Sequence, residues 1–170
     1  MLVENLVIGD AVWTESHGAQ PIRWICQQEV PAKGAFAPIR ISAGTLGANR
    51  AILVSPAHRM LIQGADVEAL FGIPKALVAA KDLVNDRTIT YETTLSTVEY
   101  FHIMFDQHEI VQAHGTLSES FFPHDAAVGD FGVAQRNELF ALFPELAVNT
   151  HSYSIAYPGL MPYEATLLGR

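Results

Sequence analysis

Apolar runs in this chain are short, and turn-forming residues break them about every eight to twelve positions as far as about residue 120. That spacing leaves no room for strand–helix–strand units and predicts a mainly β domain of short antiparallel strands. Strands are expected at Ala11–Thr14, Gln20–Gln28, Ile39–Ser42, Ile52–Val54, Met60–Ile62, Lys75–Val78, Thr88–Tyr91, Val98–Phe105 and Glu109–Ala113. Turn chemistry separates them at Gly9-Asp10, Ser16-His17-Gly18-Ala19, Gly44 to Asn49, Gly64-Ala65-Asp66 and Asn85-Asp86-Arg87, where glycine supplies positive φ and Asn or Asp side chains bond their own backbone.

The tail follows another period. From Ala134 to Phe143, Leu139, Phe140 and Phe143 fall on one helical face, Asp130 is a candidate cap upstream, and Pro144 is expected to stop the run. Asn149–Pro162 reads as an ordered loop or edge segment, and Tyr163–Leu168 returns to apolar packing. The expected organisation is a β domain over residues 1–125, with a C-terminal helix and ordered tail over 126–170 packed on it. A weak internal echo relates Asn5–Thr14 to Asp82–Thr90: an apolar pair, an acidic turn, then a strand ending in Thr. Two related half-domains would produce it.

Size and charge remove several classes of function. A chain of 170 residues, 49% hydrophobic and 16% charged, is long enough for one packed core and too apolar for disorder. A net charge of −8 leaves no basic footprint for a nucleic acid backbone or an anionic membrane surface. The longest stretch without Asp, Glu, Lys or Arg, Leu146–Tyr163, carries Asn, Thr, His, Ser and prolines and does not fit a spanning helix. Met1-Leu2-Val3-Glu4-Asn5 lacks the basic-then-apolar order of a cleavable export signal. A single cysteine, Cys26, rules out an internal disulfide and a zinc site of paired thiolates.

One turn carries candidate chemistry. Ala51–Ile62 reads as strand, four-residue turn, strand, with Pro56 at the second turn position pre-setting φ, so that Ser55 and His58 come close. An imidazole beside a hydroxyl can protonate a departing amide nitrogen or deprotonate a nucleophile near neutral pH. Without further context, a serine that bonds turn amides and a half-buried histidine explain the same residues.

Further stretches supply that context. Val3-Glu4-Asn5-Leu6-Val7-Ile8-Gly9-Asp10-Ala11-Val12-Trp13-Thr14 followed by Gln20–Ile25, then Val54-Ser55-Pro56-Ala57-His58-Arg59, then Ala80–Asn85, Glu99–Val111 and Gly115–Ser120 resemble, in this order, the Hint domain shared by hedgehog autoprocessing domains and inteins. The similarity is closest to the bacterial Hint-2 branch and covers most of residues 3–124. It implies a β fold of two pseudo-two-fold halves, no cofactor and no metal, and self-cleavage in which a Cys or Ser attacks the preceding carbonyl. The substrate would be the protein's own flanking polypeptide. Ser55 and His58 match the family's "T-x-x-H" block, with Ser for Thr, and would assist that acyl shift; His108 and Asp106 match positions that aid later steps.

The sequence also departs from the family. The opening "C-F-x-x-G-T" strand with its nucleophile is not ahead of Val3-Glu4, and Glu119-Ser120 stands where inteins end in His-Asn. Cys26 lies in a strand and reads as a small packed residue. The expectation is a truncated or degenerate autoprocessing domain, inactive as written. A missing opening strand would leave an unpaired edge, so self-association into a homodimer is expected, with Ser152–Tyr157 as a surrogate strand. The alternative is a non-catalytic β module of a bacterial surface or secreted protein, and the resemblance alone leaves the compartment open.

Other residues read as structural. His102, His108 and His114, spaced by six, would with His124 make a metal set only on one unbroken strand, and Asp106-Gln107 is expected to turn the chain. Trp13, Trp24, Tyr100, Phe101 and Phe105 read as core, Asp10 and Asp86 as turn caps, and Glu68, Lys75, Lys81 and Asp82 as a solvated face.

Overall fold

The computed structural model of the chain describes residues 1–123, 128–129, 131–149 and 153–168. Asp130, His124 and Ser152, named above, lie outside them. Short antiparallel strands with a few short helices make up the protein, in two compact units that interleave along the chain. The first unit comprises Met1–Gln27, Phe101–Glu109 and Ser120–Ala156; the second comprises Gln28–Tyr100, Ile110–Glu119 and Tyr157–Arg170.

In the first unit, β1 (Ala11–Thr14) and β2 (Gly18–Pro21) form a hairpin in the register Ala11↔Pro21 to Thr14↔Gly18. The Thr14 hydroxyl donates to the Gly18 carbonyl at 2.8 Å and closes the turn. The strand expected at Gln20–Gln28 is interrupted: β2 ends at Pro21, and β3 runs from Trp24 to Pro31. Proline cannot continue a ladder, and the Ile22 amide turns to the Asp10 carbonyl at 2.9 Å. The core of this unit gathers Trp24, Cys26, Met104, Leu139, Phe143, Leu146 and Tyr153. Trp13, expected in a core, is 50% exposed: alternation along β1 buries Thr14 instead.

The tail helix forms as α2 (Val133–Leu142), with Leu139 and Phe143 buried. Pro144 does more than stop it. Proline at the first helical position loses no needed hydrogen bond, and Pro144 opens a second short helix, α3 (Pro144–Val148).

The second unit holds a three-stranded sheet in which β4 (Ile39–Ile41) lies between β5 (Ile52–Val54) and β8 (Ile89–Tyr91). It also holds the run β10 (Ile110–Ala113), β11 (Thr116–Glu119), β6 (Arg59–Gln63), β7 (Lys75–Ala79), each paired antiparallel to the next. The remaining strand, β9 (Thr97–Met104), pairs with β3. Ile39, Ile41, Met60, Ile62, Val78, Leu83 and Ile89 fill the core of the second unit.

Two elements there escaped the sequence reading. One is α1 (Ala65–Phe71), where a turn was expected; Gly64 precedes it, and Gly72 ends it at φ 69°, its amide on the Glu68 carbonyl at 2.9 Å. The other is β11, launched by Gly115 at φ 91°, where an added Cβ would stand 2.5 Å from the Gly47 carbonyl oxygen.

The end of the chain belongs to this unit's core. Leu77 donates its amide to Pro158 and accepts from Leu160, both at 2.8 Å, which covers the outer edge of β7. Beyond it, α4 (Pro162–Ala165) and a 3₁₀ turn bury Ala165 and Leu168 against Met60 and Val78. Tyr153–Tyr157, offered above as a surrogate strand, forms none; the pairing falls on Pro158–Leu160. Tyr163, expected to pack, is 68% exposed.

The internal echo has a local counterpart in each unit. Val3–Asn5 and Ala80–Leu83 are 3₁₀ turns, each followed by a side-chain-braced turn and then by β1 or β8. Asp10 accepts the Val7 amide at 3.0 Å in the first, as expected of a cap. In the second the brace is Asn85, whose Oδ1 accepts the amides of Arg87, Thr88 and Ile89 at 2.9 to 3.0 Å. Asp86 instead takes the φ 56° position.

Candidate functional site

The turn linking β5 to β6 forms where the sequence places it. The His58 amide donates to the Ser55 carbonyl at 3.1 Å, with Pro56 and Ala57 at the corner. Both Ser55 and His58 are half-buried. Bonds from residues distant in sequence hold the turn in place: the Ala80 amide donates to the His58 carbonyl at 2.9 Å, and the Lys81 amide to the Pro56 carbonyl at 3.0 Å. On its other side, the Arg59 amide donates to the Glu119 carboxylate at 2.9 Å. A turn fixed by three bonds from two elements, the 3₁₀ turn Ala80–Leu83 and β11, presents the histidine on a rigid base, which is what a group that must meet a reacting atom needs.

Asp106 and His108 belong to the first unit, whereas Ser55 and His58 belong to the second. Asp106 is 65% exposed and pairs with the Arg23 guanidinium at 3.6 Å. His108 is 3% exposed; its Nδ1 accepts the Ala156 amide at 2.9 Å, and its ring meets Phe122 edge-on at 5.0 Å. An Nδ1 that accepts puts the proton of the neutral ring on Nε2.

Cys26 packs in the core of the first unit. Burial, and then the negative charge of Glu138, push its thiol above the ordinary cysteine value, which disfavours the thiolate a nucleophile requires. His102 stacks edge-on to Phe121 and Phe131, and His114 occupies the β10–β11 turn at φ 49°. Among the described residues no group of three or more His, Cys, Asp or Glu side chains could hold a metal ion.

One pair escaped the sequence reading. Glu109 is 3% exposed, and its Oε1 lies 2.8 Å from Nδ1 of His17, which is 47% exposed. The Glu109 amide donates to the buried Ser120 hydroxyl at 3.0 Å. His17 and Glu109 are 92 positions apart, and a glutamate at a strand start next to a histidine gave no signal in sequence. A cavity of about 550 Å³ lies beside α2 and α3, lined among others by Arg136, Asn137, Phe140 and Leu146. Neither it nor the His17–Glu109 pair includes Ser55, His58, Asp106 or His108, the residues to which the sequence assigns chemistry.

The family model described as the Hint domain, of the Hint-2 type, matches residues 1–125. Comparison with curated proteins and with solved structures returns no match.

Proposed function

The chain belongs to the Hint domain family, a family of autoprocessing-type domains, and from that membership we propose that its 170 residues carry the acid half of a self-cleaving reaction on their own flanking polypeptide. In that reaction a thiol or hydroxyl attacks the preceding carbonyl carbon, a C–S or C–O bond forms, the C–N bond breaks, and the freed nitrogen takes a proton. His58 supplies this proton and is restored by the one that the attacking thiol or hydroxyl gives up, and Ser55 beside it on the turn orients the ring. A positioned general acid contributes about 10²–10⁴ in rate. The observation carrying this reading is the turn at Ser55–His58, in which the backbone of the histidine is bonded to elements far away in sequence.

The reaction also needs a nucleophile. Cys26 is buried with its thiol pKa raised, so it is a poor candidate for that role, and we place the nucleophile on a segment joined upstream of these residues. We read His108 as a structural ring rather than one that aids a later step, since it is 3% exposed and its Nδ1 accepts the Ala156 amide. The test joins a reporter and an upstream "C-F-x-x-G-T" segment to the chain. Thiol-induced release is expected, falling at least about a hundredfold in His58→Ala; a fusion that stays intact under all conditions sinks the reading.

A second reading is a non-catalytic β module that associates with a second copy of itself. Val7, Ile8 and Trp13 are 59%, 53% and 50% exposed around β1, and among the described residues β2 pairs on one side only, with β1. Sedimentation at rising concentration should then reveal a dimer, and a strict monomer rejects it.

A further inference from the structure

We propose that Glu119 is the positioning residue for His58, an assignment that rests on the reading of His58 as the acid. Glu119 closes β11 and is 10% exposed on its side chain. Its Oε1 accepts the Arg59 amide at 2.9 Å, and its Oε2 lies 3.6 Å from the Arg59 guanidinium Nη1. The peptide joining His58 to Arg59 is therefore held at both ends. Its carbonyl accepts the Ala80 amide at 2.9 Å, and its N–H is held by Glu119 across 60 positions of sequence.

A peptide plane fixed on both sides sets ψ of His58, and the turn bond from the His58 amide to Ser55 at 3.1 Å restrains the residue on its amino side. Ladder pairing alone does not supply this restraint. In the β11–β6 ladder Ser118 pairs with Met60, and one residue further on a carboxylate takes the place of a strand carbonyl. A carboxylate accepts an amide proton more strongly than a neutral acceptor does, and at 10% exposure it has little water to compete with. Glu119 thus acts through the backbone, and it need not touch a reacting atom.

The substitutions separate this role from bulk stability. Glu119→Gln keeps an oxygen for the Arg59 amide and removes the charge, Glu119→Ala removes both, Glu119→Asp keeps the charge but shortens the reach, and Arg59→Ala keeps the carboxylate and the amide. Hydrogen exchange on the full chain should show the Arg59 amide slow in the native protein, in Glu119→Gln and in Arg59→Ala. In Glu119→Ala and Glu119→Asp it should be about tenfold faster or more. The His58 ring resonances should stay as one set in the first group and shift or split in the second. In the reporter fusion, release should fall roughly tenfold to a hundredfold with Ala or Asp and return to within a few-fold of native with Gln.

A His58 ring spectrum indifferent to Glu119→Ala and Glu119→Asp overturns the proposal, as does Gln behaving no better than Asp. Release that depends on His58 and ignores Glu119 rejects the positioning role and keeps the proposed function. A native fusion that never releases, together with a His58 ring that responds to Glu119, rejects the function and keeps the positioning role.

Discussion

His58 and His108 were singled out by the same sequence resemblance, and the fold treats them in opposite ways. At His58 the protein fixes the main chain: three bonds from two elements hold the turn, and the residue stays half-buried. At His108 the protein fixes the ring itself, at 3% exposure, by the Ala156 amide on Nδ1 and by Phe122. The His108 ring accepts a hydrogen bond inside a core, whereas His58 sits on a braced turn, where we propose that it acts. A motif fixes which residue is present, and the partners of its ring nitrogens decide what it does.

The largest expected difference tests this contrast directly. Replacing His108 by alanine removes a buried ring and strands the Ala156 amide, and should cost about 2–4 kcal/mol of unfolding free energy by denaturant titration. His58→Ala should cost less than about 1 kcal/mol, its effect appearing in release from the fusion. Equal losses of stability at the two sites would break the comparison.

A smaller effect sharpens it. Each unit holds a tyrosine hydroxyl that donates to a backbone carbonyl, Tyr153 to Phe105 at 2.9 Å and Tyr100 to Phe36 at 2.8 Å. Burial pushes Tyr100 up to about 12. Tyr153 is driven well above the ordinary phenol value, first by burial and then by the charges of Glu109 and Asp106. Because the folded protein holds the Tyr100 proton more tightly than the unfolded chain, this contribution is complete below the unfolded phenol value near 10 and is lost as pH rises through about 12. Ultraviolet titration should show Tyr100→Phe removing a transition near pH 12, whereas Tyr153→Phe removes absorbance that develops only as the protein unfolds. Tyr153→Phe should destabilise by about 1–2 kcal/mol and Tyr100→Phe by about 0.5 kcal/mol.

The smallest effect concerns Cys26. Its buried thiol, raised by desolvation and Glu138, should label slowly with a thiol reagent at pH 8 in the native state and readily in denaturant. Rapid native labelling would show a reactive thiol in the first unit and reopen the question of the nucleophile.

Much of the fold was legible because its signals are local. Ala11–Thr14 and Ile52–Val54 match the expected strands residue for residue, since alternation and bounding turns occur within a few positions. The helix at Val133–Leu142 was one residue off its expected start. The α1 helix was missed because its seven residues bury only Val67, too little for a helical period to emerge. The break in the Gln20–Gln28 run was missed because the Ile22 amide turns to Asp10, a tertiary choice. In the site, Ser55 and His58 were visible because one turn joins them, whereas Glu119, 60 positions from Arg59, and the His17–Glu109 pair carry no local mark.

By itself, the sequence determined the β character, the family and the turn that bears His58, because periodicity, glycine and proline act over a few neighbouring residues. Tertiary structure alone decided that Glu119 brackets that turn, that His108 spends its ring on Ala156, and that Leu160 and Leu168 complete the second unit's core. Burial and hydrogen-bond partnership are properties of distant segments brought together, and no window of sequence contains both sides of such a contact.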